Sequence, residues 1–66
     1  MNAAQFHEVM TRLDLSQRQM AERLGLARNT ANAYAAGKQA IPRYIALACS
    51  ALLADLPAYG SAQEDV

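Results

Sequence analysis

The sequence predicts an all-α fold, a compact bundle of four to five short helices. Three observations carry that prediction. Strong helix formers (Ala, Leu, Met, Gln, Arg) dominate a chain that is 53% apolar. Apolar residues recur at three- and four-residue spacings within short separate stretches, as one face of a helix requires. Gly25, Gly37 and Pro42 stand between those stretches, where helices stop and start. Sixty-six residues make one domain. A chain this short buries only about 60% of its unfolded surface, so its core is small. Cys49 is the single cysteine and His7 the single histidine, so neither an internal disulfide nor a structural zinc is available.

The first helix follows Asn2, an N-cap residue with Gln5 three positions on, the spacing of a capping box. Phe6, Val9, Met10 and Leu13 form its apolar stripe, while His7 and Glu8 are expected to face solvent. Asp14 and Leu15 lead to Ser16, a second cap with Gln19 three positions on. The helix it opens runs over residues 17–24, with Met20, Ala21 and Leu24 on one face. Ala21 is small where two crossed helices come close. Gly25 suits the left-handed residue that ends a helix, and Leu26 is an apolar plug in the turn.

A third helix is predicted over residues 28–36, with Ala31, Tyr34 and Ala35 inward. Its other face carries Arg28, Asn29, Asn32 and Ala33, polar but with a single charge. Arg and Asn are the side chains that read guanine and adenine edges through two hydrogen bonds. Two short helices joined by a tight turn are the grammar of a helix-turn-helix, whose second helix can lie in the DNA major groove.

The quoted residues resemble the phage-repressor helix-turn-helix family (Cro-type, also called XRE). The likeness rests on Leu15-Ser16-Gln17, Ala21, Leu24-Gly25-Leu26, Arg28-Asn29-Thr30, Tyr34, and Gly37-Lys38 leading to Ile41-Pro42-Arg43-Tyr44. It covers residues 6 to about 56. It implies a lambda-repressor-like bundle in which the outer face of the third helix touches bases. Arg28 would suit guanine, and Asn29 or Asn32 adenine; Ala33 and the Thr30 methyl could meet a thymine methyl. Thr30 has two further options, a phosphate or its own helix backbone. Gln17, at the start of the second helix, is expected to clamp a phosphate, and Lys38 and Arg43 to meet phosphates or the minor groove. Arg12, Arg18 and Arg23 are expected to serve solvent or ion pairs, with Arg18 and Glu22 correctly spaced for one. Two residues depart from the pattern: Ala27 stands where the family has a capping Ser or Thr, and Ala31 where a larger aliphatic is common.

Net charge is zero, but its distribution is uneven. All six Arg and Lys lie between Arg12 and Arg43, a window with only two acids and therefore a charge of +4. Three acids and no base follow Arg43. A basic module with an acidic end is compatible with binding a nucleic-acid backbone.

Lys38-Gln39-Ala40 reads as a loop, and Ile41-Pro42 as the start of a last helix with Pro42 in its first turn. Ile45, Ala48, Leu52 and Leu56 make one stripe; Tyr44, Leu47, Ala51 and Leu53 make another. A surface helix of a small domain is not apolar nearly all round unless something covers the second face. A second copy of the chain is the expected cover, through Tyr44, Leu47, Ala51, Leu52, Leu53 and Leu56. Cys49 is expected to be a small buried hydrophobe. The helix is expected to end at Leu56-Pro57, so residues 1–57 form the domain and residues 58–66 a flexible acidic tail.

The expected function is a cytoplasmic, sequence-specific DNA-binding regulator. It would act as a homodimeric autorepressor on an inverted repeat in double-stranded DNA. Small phage regulators, antitoxin-type autorepressors and autorepressors encoded beside anti-CRISPR genes share this form. No cofactor, metal, small-molecule effector, effector domain or membrane contact is expected. The alternative is a protein-interaction module, antitoxin-like or polymerase-binding, that uses the apolar last helix. An enzyme is not expected: no paired carboxylates, phosphate-binding glycine loop or nucleophile constellation is present.

Overall fold

The computed structural model describes residues 1–56, which contain four helices and no strand. They are α1 (Ala3–Leu13), α2 (Gln17–Leu24), α3 (Arg28–Ala35) and α4 (Arg43–Leu53). Helix α3 packs on α2 and α1, and α4 packs on α1 and α2. The expected end of the last helix at Pro57 and the tail over residues 58–66 lie outside the described residues, the helix end within them being given below.

Both expected capping boxes are present. The Asn2 side chain accepts from the Gln5 N–H at 2.8 Å while the Gln5 side chain accepts from the Asn2 N–H at 2.9 Å. Ser16 and Gln19 repeat the exchange at 3.1 and 2.8 Å. These bonds satisfy amide donors at each helix start that have no partner inside the helix.

All four helices close by the same device. A residue in the left-handed conformation ends each one, and the next residue's N–H reaches back to the carbonyl five positions earlier. The left-handed residues are Asp14, Gly25, Gly37 and Asp55, with φ of 55, 69, 73 and 57°. The closing bonds run from Leu15 to Met10, Leu26 to Ala21, Lys38 to Ala33 and Leu56 to Ala51, each 2.9 Å. Leu15 and Leu26 then fold down against the core. At Gly25 the need is conformational only, because a Cβ there would meet nothing within 4 Å.

The core is Phe6, Val9, Met10, Met20, Tyr34, Ile45 and Cys49, with Ala21 and Ala31 buried where the helices approach closely. Leu13, Leu15, Leu24, Leu26, Ala35, Ile41 and Leu52 close its edges. The Phe6 and Tyr34 rings meet edge to face, with centroids 6.0 Å apart and planes at 72°. That contact ties α3 to α1. Cys49 is buried among these residues, and burial pushes its thiol pKa up, as expected of a small hydrophobe.

Three expectations need correction. Pro42 is not within the first turn of α4; it is the N-cap, with φ −65° and ψ 157°, and its carbonyl accepts from Ile45 and Ala46. The helix ends at Leu53 rather than running to Leu56, because Asp55 turns left-handed. Leu56 therefore leaves the stripe assigned to it and lies exposed, while Ile45 and Cys49 supply the buried face with Leu52 at its edge. His7 is exposed but does more than face solvent. A carbonyl oxygen can only accept, so His7 Nε2–H donates to Ala35 O, at 2.9 Å.

Candidate nucleic-acid interface

Helix α3 has an anchored end and an open start. Ala27 has the extended backbone of an N-cap but no side-chain oxygen, and no side chain caps the helix. The last four carbonyls are all engaged: Asn32 O with Ala36 N–H, Ala33 O with Lys38 N–H, Tyr34 O with Gly37 N–H, and Ala35 O with His7. The sequence missed that last bond. His7 lies 28 residues before Ala35, and only the crossing of α1 over the end of α3 joins them.

Buried Ala31 and Tyr34 orient the helix and so turn its opposite side outward. Arg28, Asn29 and Asn32 are exposed there, and Thr30 and Ala33 are half-buried at its margins. Residues 28 and 32 and residues 29 and 33 stand one turn apart, so the four form a contiguous patch. Among the described residues the only ion pair is Arg18–Glu22, at 3.5 Å on the surface of α2, which leaves the Arg28 guanidinium without a carboxylate partner.

Gln17 is the first residue of α2 and is half-buried. Its Nε2 donates to Asn32 Oδ1 at 3.2 Å, joining α2 to the outer patch of α3. Gln17 and Asn32 are thus brought together, although the sequence assigned them separate tasks. Lys38 is exposed but its backbone is tied to the end of α3 through Ala33 O at 2.9 Å. Arg43 is exposed at the other end of the short loop, as the first residue of α4.

A family model described as helix-turn-helix matches residues 7–54. The chain belongs to the XRE-type helix-turn-helix family. No curated protein and no solved structure matches it. As a helix-turn-helix protein it is a DNA-binding transcription regulator, and the match spans all of α2, α3 and α4.

The proposed dimer residues divide in the folded helix-turn-helix chain. Tyr44 and Leu47 are 66% and 59% exposed, and Leu53 and Leu56 are also exposed. Leu52 instead packs against the core, and Ala51 is half-buried. Among the described residues no group of His, Cys, Asp and Glu is placed to hold a metal ion, and no helix is long and apolar enough to cross a membrane.

Proposed function

We propose that this helix-turn-helix protein is a sequence-specific repressor that binds an inverted-repeat operator as a homodimer. Family resemblance supplies the setting, autorepression of a small phage or mobile-element operon. The outer patch of α3 carries the reading. Arg28, Asn29 and Asn32 are exposed on a helix whose other side is fixed by Ala31 and Tyr34, and Arg and Asn are base-reading side chains. Thr30 and Ala33 lie at the edge of that patch, within reach of a thymine methyl. Gln17, Lys38 and Arg43 take the phosphates beside it. Exposed Tyr44, Leu47, Leu53 and Leu56 supply an apolar surface for the second protomer, with Ala51 and Leu52 behind them. Two recognition helices on one side of the duplex then sit about 34 Å apart.

The same apolar surface supports a second reading, docking of a different protein, if the chain is a monomer. Salt dependence of duplex binding tests the DNA-binding mode. Log affinity should fall linearly with log salt, with a slope of about −0.9 for each charged phosphate contact, and Lys38→Ala and Arg43→Ala should each reduce that slope by about 1. Binding that is weak at all salt concentrations, with unchanged slopes in both variants, would favour the protein-docking reading.

A further inference from the structure

Of the last four carbonyls of α3, three are closed by the chain that follows, and Ala35 O is closed by His7 from α1, at 2.9 Å. The same stretch of α1 meets the chain just past α3. A Cβ at Gly37 would lie 3.7 Å from the Ala3 Cβ, and Asn2 and Ala3 line one cleft with Gly37, Lys38 and Ile41. Ala3 and His7 are four residues apart and so share a face of α1. That face is a seat for the end of α3. We infer that His7 is a positioning residue for phosphate binding: it holds the last turn of α3 and, through it, the backbone that presents Lys38 to DNA. This rests on the reading that Lys38 meets a phosphate.

Lys38 depends on that seat. Its side chain is exposed, and among the described residues its ammonium has no carboxylate partner. A lysine is a point charge on a flexible stem, so its contact with a fixed phosphate is only as well placed as its backbone. That backbone is fastened to the last turn of α3: Lys38 N–H donates to Ala33 O at 2.9 Å, and Gly37 N–H to Tyr34 O at 3.2 Å. Lys38 therefore moves with the end of α3. Buried Ala31 and Tyr34 hold the inner face of the helix, while the His7 bond holds its final turn. The His7 bond is exposed, so water can replace it at Ala35 O. Removing it loosens position without leaving a buried group unpaired. Arg43 is the internal comparison. It opens α4, whose first turn is tied to Pro42 O and not to α3.

A double-mutant cycle read through salt dependence tests this coupling. The full chain would be titrated with a mixed-sequence duplex, because phosphate contacts are independent of sequence. Melting curves would confirm that each variant is folded at the assay temperature. His7→Ala should weaken binding about three- to tenfold and make the salt slope shallower by about 1. On a Lys38→Ala background His7→Ala should change neither quantity. On an Arg43→Ala background its effects should be undiminished. A loss of stability alone would act equally on both backgrounds. Two amide variants separate the bond from the ring. His7→Gln carries an N–H as many bonds from Cβ as Nε2 and should restore affinity and slope. His7→Asn, one bond shorter, should behave as His7→Ala does. If His7→Ala fails to fold, the Gln and Asn pair decides in the same cycle.

Equal effects of His7→Ala on the Lys38→Ala and Arg43→Ala backgrounds would overturn the proposal, making His7 a stabilising residue only. So would an unchanged salt slope in His7→Ala when Lys38→Ala reduces it. Failure of His7→Gln to restore binding would overturn the role of the Nε2 bond. If Lys38→Ala itself leaves the slope unchanged, the phosphate role of Lys38 fails, and the coupling falls with it.

Discussion

Asp14 is held in a left-handed conformation, φ 55°, at the point where α1 must stop for the chain to turn into α2. Two penalties meet there. Left-handed backbone costs an L-residue about 1–2 kcal/mol, less for Asp than for most. A carboxylate also faces the negative end of the helix dipole. Glycine carries neither, though it loses more entropy on folding. Asp14→Gly should therefore stabilise the chain by about 0.5–1 kcal/mol, read as a higher urea midpoint at unchanged slope. Cys49 illustrates a different kind of residue effect. Burial raises its pKa, so the folded state holds the thiol proton more tightly than the unfolded state does. The resulting stability is fully present below the ordinary thiol range and is lost as pH rises through the raised value. Urea midpoints measured from neutral to alkaline pH should fall less steeply in Cys49→Ala than in the parent. At the interface, Arg28→Ala should relax preference at one base pair and cost about 1–3 kcal/mol. Competition binding with single-base variants of a selected site checks this; equal loss on every sequence would make Arg28 a phosphate contact.

At the scale of elements, α3 is the least self-sufficient helix. It is short, has no side chain capping its start, and is held by buried Ala31 and Tyr34 and by the His7 bond at its far end. Ala27→Ser would place a hydroxyl at an N-cap whose φ of −65° and ψ of 149° already suit one. The gain should be about 1 kcal/mol, equivalent to about 4–8 °C in melting temperature for a domain of this size. A melting scan reads it directly. The boundaries of α2 and α3 were legible because Ser16, Gln19 and Gly25 announce them through local chemistry. The end of α4 was not. Asp55 is an unusual left-handed residue, and the apolar run continues past it to Leu56, so periodicity alone extends the helix too far. The bonds from His7 to Ala35 and from Gln17 to Asn32 were equally hidden. They join residues 28 and 15 positions apart, and they depend on how helices cross rather than on any local pattern.

For the whole molecule, the two surfaces left over after the core is filled define the account: the polar patch on α3 and the apolar patch on α4. The sequence made both visible as excess, a helix face with too little charge and a helix with too much apolar surface. It could not separate the two uses of α4. Leu52 belongs with the intramolecular core, while Tyr44 and Leu47 project from it. Leu47 is therefore the residue with which to test assembly, since a charge at Leu52 would unfold the chain as well. Leu47→Glu should leave the protomer folded, because Leu47 is exposed and outside the core, while sedimentation shifts from dimer to monomer and the melting temperature loses its dependence on protein concentration. Operator affinity should fall with it, because a single protomer engages only one half-site. A Leu47→Glu protein that remains dimeric would place the interface elsewhere.

The most direct test of the central claim, that α3 reads DNA sequence from a two-fold assembly, is selection of random duplex DNA on the purified chain at physiological salt. The account predicts recovery of an inverted repeat whose half-sites lie about one helical turn apart. Recovery of no common motif, with only weak and salt-sensitive binding, would contradict it.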